Sequence, residues 1–307
     1  LLSLVAGALC IAFAPIFAVQ AMRYGGIGYW DSAFWRVCLG AGAMAVLVVA
    51  RGESLLGADR ASFAEEDRGH TWMWLPGIFF ALDFGAWHWS FQYTSVANST
   101  LLTNVAILVV TLFSWLVWRE RLSGRFVAGS SLAFAGVVLL MLGSAKGKSP
   151  GGNPLLGDGL ALLTAVFYAS YQLSMKHYRR ARPAPVLMVW ASGVAALLLL
   201  PLAAWHPDPL FPANGWQGWW PLIGMGVLSH ACGQGLISHG FGGVPASLGS
   251  LVLLIQPVGA AVLGVLLLDQ HMSWWQIAGG AAVVGGLFFA VRGQVDLAKA
   301  SLPPPRE

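Results

Sequence analysis

Apolar residues run along this chain in long unbroken stretches, and the polar residues collect in short segments between them. The stretches fall at about 2–21, 30–50, 72–94, 97–118, 125–143, 156–176, 185–205, 217–238, 246–268 and 274–292. Each suits a helix that crosses a bilayer, which takes about 17–25 residues. Strands of a membrane β-barrel alternate over roughly ten residues, whereas these runs are longer and uniformly apolar. The pattern predicts an all-α membrane protein with ten transmembrane helices.

Composition agrees: 57% hydrophobic residues, 10% charged residues and a mean hydropathy of +0.68 exclude an ordinary soluble core. The formal charge of +4 is not a nucleic-acid signal, because the basic residues are sorted by side. With the N-terminus in the cytoplasm, cytoplasmic segments hold 13 of the 17 Lys and Arg, and the opposite side holds only Arg23, Lys146 and Lys148. The positive-inside rule therefore predicts that both termini are cytoplasmic. Tryptophans such as Trp72, Trp115, Trp216 and Trp274 flank the runs, where amphipathic rings favour the headgroup level. Cys10, Cys38 and Cys232 fall inside helices without paired spacing and read as small buried hydrophobes. Leu1 to Gln20 lacks a basic leader and a cleavage site, so it reads as a span and not as a signal peptide. The chain starts without Met, and a short native stretch is expected to precede it.

An internal repeat organises the chain. Aligning Ala97 with Ala246 also aligns the helix-ending acids Glu120 and Asp269. One extra residue near His271 then matches Gly129 with Gly279 and Gly136 with Gly286. The expected units are a repeat over 1–145, a linker over 146–153, a second repeat over 154–295 and a tail over 296–307. An odd number of spans per repeat forces opposite orientations in the membrane. That is the inverted-repeat design of secondary transporters, which places substrate near the midplane between the units.

Two segments carry a family resemblance. Tyr93-Thr-Ser-Val-Ala-Asn-Ser-Thr, followed by Trp118-Arg-Glu-Arg-Leu-Ser, resembles the first repeat signature of the drug/metabolite transporter superfamily, EamA type. Leu254-Ile-Gln-Pro-Val-Gly-Ala-Ala through Leu267-Leu-Asp-Gln resembles the second copy, and Phe34-Trp35-Arg36 also fits the pattern. The resemblance covers nearly the whole chain. It implies ten helices with cytoplasmic ends in a bacterial inner membrane, and export of small metabolites from the cytoplasm. Two departures stand out. Asp269 replaces the usual glutamate, and Ile107-Leu-Val stands where the second repeat has Gln256-Pro-Val. Without that proline, matching bends in helices 97–118 and 246–268 are not implied.

Polar residues inside the helices mark the expected site. Asp83 lies mid-run, and an acid at that depth is by default functional. It can also carry a proton and couple export to a proton gradient, the rival being a structural bond to a neighbouring helix. His88 lies five residues on. Thr100, Asn104 and Thr111 share one helix face, and Asn104 corresponds to Leu253, one turn from Gln256. Thr164, Tyr168, Tyr171 and Met175 form a stripe, and His230 and Gln234 flank Cys232, the counterpart of Asp83. The predicted substrate-binding set is Asp83, Trp87, His88, Asn104, Tyr168, Tyr171, Gln234 and Gln256. With Trp89 added, these aromatics and amides suit a small amphipathic solute. Within the superfamily they are most similar to exporters of aromatic and other neutral amino acids, with drug or lipophilic-cation efflux as the alternative.

Other residues take plainer readings. Serine and threonine in membrane helices mostly bond their own carbonyls or neighbouring helices. Arg36 and Asp31 read as an interfacial pair in which the long side chain snorkels. The glycine faces around Gly129, Gly136, Gly279 and Gly286 read as close-packing scaffold, with a homodimer surface as the alternative. No nucleotide-binding, metal-binding or Cys-x-x-Cys motif is present, so neither enzyme nor cofactor is expected. An intramembrane hydrolase built on Ser229-His230 is the rival of another class, and neighbouring helix residues point about 100° apart, a poor dyad geometry. A channel is a third reading, without a charge ring or filter loop to support it. The expected partners are a small-molecule substrate and lipid, not nucleic acid.

Overall fold

The computed structural model describes residues 1–55, 72–144, 153–179, 182–268 and 271–300. Among them the helices join into ten rods. These are α1 (Leu2–Gly25), α2 (Tyr29–Ala50), α3 (Leu75–Ser90), α4 (Val96–Thr103 and Ala106–Leu116), α5 (Gly124–Ser144), α6 (Pro154–Tyr178), α7 (Ala184–Trp205), α8 (Trp216–Gly224, Met225–Gln234 and Gly235–Phe241), α9 (Ala246–Val252 and Ile255–Leu268) and α10 (Trp274–Ala300). Most of the linker, Asp269, and Arg60, Arg68, Lys146, Lys148, Arg180 and Arg306 lie outside the described residues.

Among the described residues, seven helices are long and apolar enough to cross a membrane: α1, α2, α4, α5, α7, α9 and α10. The other three rods, α3, α6 and α8, carry Asp83 and His88, Gln172 and Lys176, and His230 and Gln234. Rod α3 falls short in length, at 16 residues, and the polar residues of α6 and α8 dilute their apolar signal.

Local chemistry sets several rod ends. Pro76, Pro154 and Pro185 sit in first turns, where a missing N–H breaks no helical bond. Asn153 caps α6 by accepting from Leu156 N at 3.4 Å. Gly26 closes α1 at φ +64°, a left-handed conformation that glycine adopts without strain.

Two rods break at positions that the repeat alignment equates. In α4, Val105 N bonds Leu102 O at 3.1 Å, and in α9, Leu254 N bonds Leu251 O at 3.1 Å, so each helix tightens for about one turn. The bends match although only α9 has the proline. Pro257, two residues into the lower half of α9, brings no N–H to the ladder. In α4 the side chain of Asn104 substitutes for it: Nδ2 donates to Thr100 O at 2.7 Å and competes for a carbonyl of the helix ladder.

The most extensive packing joins rods from different halves of the chain. α5 packs on α10 and α2 on α7; α3 packs on α6 and α7, while α8 packs on α1 and α2. This pattern is unchanged when the first five rods are exchanged with the last five. The halves intermesh and do not form separate lobes. The α5–α10 seam is the tightest part. A Cβ on Gly129 would lie 2.5 Å from Gly286 O, and one on Gly136 would lie 2.6 Å from Gly279 O. The small-residue faces are therefore occupied by each other within the chain, which removes the observation behind a homodimer there.

Candidate functional site

A cavity of about 210 Å³ opens where seven rods meet: α1, α2, α3, α4, α6, α8 and α9. Rods α5, α7 and α10 contribute no lining residue among those described. Six of the eight residues expected from sequence line it: Asp83, Trp87, Asn104, Tyr168, Gln234 and Gln256. Asp83 is 8% exposed and has Arg36 of α2 as its electrostatic neighbour.

Tyr171 lies one layer behind. It stacks on Phe80 with centroids 4.3 Å apart and on Tyr168 at 6.1 Å, and its hydroxyl donates to Gln234 Oε1 at 3.4 Å. Tyr168 lines the same wall as the amides of Gln234 and Gln256. Tyr171 thus ties α6 to the amide that α8 brings to this wall. Thr164 instead bonds its own Leu160 carbonyl at 3.0 Å.

His88 is held away from the cavity. Its Nδ1 lies 2.7 Å from Phe84 O, and its ring sits among Tyr29, Trp30, Trp87 and Phe91. It meets the cavity wall from behind, through Phe84 and Trp87. Trp89, grouped with the pocket aromatics from sequence, is 51% exposed on the outer surface. Two positions along a helix turn a side chain by about 200°, so Trp87 and Trp89 cannot share a face.

The second-half counterpart of Asp83 also departs from the sequence reading. Cys232 is exposed, not buried, and Gln234 faces the cavity. The cause is a π-helical stretch over Met225–Gln234, whose wider turn changes which residues point inward. His230 in this stretch is fully buried. Its Nε2 lies 2.7 Å from Ser192 Oγ of α7, and its ring is seated against Gly40, where a Cβ would come within 2.2 Å. Ser229 turns elsewhere and donates to Cys10 O at 3.1 Å. The two do not form a hydrolytic dyad.

Arg36 and Asp31 do not pair. Five helical positions separate them by about 140°, and they diverge accordingly. Asp31 is buried at the end of α2 toward Asp208, whereas Arg36 lines the cavity with its guanidinium 5.3 Å from the Phe84 ring centroid. Gln172 is a second lining residue outside the expected set. It lies four residues after Tyr168, on the same helix face, and that spacing is the signal that finds it.

At one mouth of the bundle, Glu120 follows α4 and reaches across to the start of α9. One carboxylate oxygen accepts from Ala246 N at 2.8 Å, and the other accepts from Ser247 N at 3.2 Å and Ser247 Oγ at 2.7 Å. A carboxylate at a helix N-terminus satisfies free N–H groups and opposes the helix dipole favourably. This is the acid that the repeat alignment pairs with Asp269.

The model of the EamA-like transporter family matches residues 1–142 and again 155–292. The chain belongs to the EamA-like transporter family. The chain spans less than two thirds of the length of two of the relatives that follow, 61% and 34%. It is similar to the uncharacterized transporter YetK of Bacillus subtilis, 24% identical over 207 residues, which are 65% of this chain and 61% of that protein. It is similar to the uncharacterized transporter YwfM of the same organism, 24% identical over 217 residues, 68% of this chain and 71% of the other. An uncharacterized transporter of Archaeoglobus fulgidus is 31% identical over 112 residues, 36% and 34% of the two chains. A solved crystal structure shares the fold of this EamA-type chain, with a TM-score of 0.79 at 20% identity, over 96% of this chain and 97% of that one.

Proposed function

We propose that this EamA-type protein is a secondary transporter that exports small amphipathic metabolites, foremost aromatic and neutral amino acids, across the bacterial inner membrane by alternating access. The carrying observation is the cavity itself. It sits where rods from both halves meet and combines an aromatic wall with Asp83 and three amides, Asn104, Gln234 and Gln256. Ten spans in two inverted five-helix repeats, with both termini in the cytoplasm, fit this reading. The exchange-symmetric packing, the two family matches and the sorting of basic residues support it.

Asp83 is the residue for proton coupling, as a buried acid facing the transport cavity. The deciding experiment is uptake and counterflow in proteoliposomes against amino acids, sugars and lipophilic cations. The expected result is saturable movement of aromatic amino acids. Movement of lipophilic cations alone would replace this reading with drug efflux. Orientation is tested by single cysteines and a membrane-impermeant thiol reagent. A cysteine at Gly57 should be shielded from the periplasmic side and one at Gly151 reached, and the reverse pattern overturns the orientation.

A further inference from the structure

The cavity wall carries an acid and a base that form no ion pair with each other. Asp83 projects from α3, and Arg36 lies on α2 against the face of Phe84. A buried charge without a hydrogen-bonded partner is strongly unfavourable, and a solute that supplies both missing partners leaves no net charge in the low-dielectric interior. Around these charges, lining residues hold polar atoms without a hydrogen-bond partner. Three are donors, Arg36 Nε, Trp87 Nε1 and Gln256 Nε2, and one is an acceptor, Gln172 Oε1. Gln172 is only 2% exposed.

A carboxylate accepts at both oxygens and an ammonium donates three hydrogens. The Arg36 guanidinium matches the first group, and the Asp83 carboxylate matches the second. Guanidinium is also the side chain best shaped to hold a carboxylate by two parallel hydrogen bonds. The remaining wall is apolar, from Ile11, Phe80, Ile107, Leu253 and Leu254, and suits a hydrocarbon or aromatic side chain.

We infer that Arg36 is the carboxylate-binding residue of the transport site, and that with Asp83 it selects solutes carrying an ammonium and a carboxylate on one head group. The inference rests on the cavity being the transport site and adds what that site reads. A cation or an anion alone satisfies one wall charge and strands the other. A neutral solute strands both.

The test uses full-length protein in lipid nanodiscs, with Kd measured by isothermal titration for three probes: phenylalanine, phenylalaninamide without the carboxylate, and 3-phenylpropionate without the amine. The wild type should bind phenylalanine at least about tenfold more tightly than either analogue, the scale expected for charge-assisted hydrogen bonds. In Arg36→Gln, phenylalanine should weaken about tenfold toward the amide, while amide binding changes less than about twofold and thereby reports an intact fold. Arg36→Lys keeps the charge but loses the planar fork, so phenylalanine should weaken again with the amide unchanged. If Arg36→Gln does not fold, Arg36→Lys decides alone. An unchanged phenylalanine-to-amide ratio in the folded variant overturns the role of Arg36, and phenylalanine counterflow by the wild type then leaves the exporter reading standing. A wild type that binds only the amide, or that neither binds nor moves any probe, overturns the zwitterion site. In the second case the amino-acid exporter reading falls with it.

Discussion

The α5–α10 seam and the cavity are both built from packed helices, yet they solve opposite problems. At the seam, glycines let backbone meet backbone with no side chain between them. Gly279 would place a Cβ 2.5 Å from Gly136 O, and Gly286 one at 2.5 Å from Gly129 O. At the cavity, large side chains stand apart and polar atoms on the wall lack partners. Lipid offers no hydrophobic drive for helices to associate, so close van der Waals packing must supply it. The seam does that. The cavity can then carry unsatisfied groups that a ligand completes, because the rods holding them are secured elsewhere.

The sharpest break of this contrast is Gly136→Leu. Its first side-chain atom would lie 2.6 Å from Gly279 O and 2.7 Å from Val283 N, both backbone atoms that cannot yield. The expected loss is about 3 kcal/mol or more, seen as disappearance of monodisperse protein after extraction. A normally folded variant would show that the seam does not hold the bundle.

Next in size is Asp83→Asn, which keeps the shape of the cavity but cannot titrate. It should fold, exchange amino acids only with a raised KM because the ammonium loses its charged partner, and lose all acceleration by an imposed pH gradient in proteoliposomes. Wild-type transport indifferent to that gradient removes proton coupling and leaves a facilitator. Gln256→Leu removes a cavity-lining amide whose Nε2 has no partner in the structure and should raise KM about five- to tenfold with expression intact, the scale of one or two hydrogen bonds. Asn104→Leu should do less to KM, because its Nδ2 serves the bend at Thr100 O. Its signature should be a slower turnover. Normal transport by both leucine variants would show that these amides only pack helices.

The smallest effect belongs to Arg125→Ala. The Arg125–Asp296 pair at the end of the seam is short, 2.6 Å, but 68% and 56% exposed. Thermal stability should shift by no more than about 0.5 kcal/mol. A large drop would mean that surface charge, and not glycine packing, joins α5 to α10.

Much of the architecture was legible because membrane helices declare themselves through uninterrupted apolar length. Asp83 was legible for the converse reason, as a charge where none is tolerated without purpose. Arg36 was not, because Asp31 is its nearest acid in sequence and the pairing looked sufficient; helical geometry turns the two apart. The π-helical stretch in α8 had no signature in the residues, so Cys232 was placed inward and Gln234 was found only by its neighbours. The bend in α4 was hidden because a proline was the sign sought, while an asparagine side chain performed the same disruption through Thr100 O. His88 was found as a buried polar residue, but aromatic packing from α2 and α3, which no spacing rule reveals, seats it behind Trp87.

The matched bends have a mechanical consequence. Each divides a rod into two arms that share a pivot beside the cavity, Asn104 in one half and Leu253 in the other. The outer arm of α9, Ile255–Leu268, has 14 residues, a lever of about 21 Å at 1.5 Å per residue. A swing of only about 10° at the pivot sweeps its tip through roughly 4 Å, more than the width of a water molecule. A passage can therefore open at one end of such a rod while the other end stays where it is.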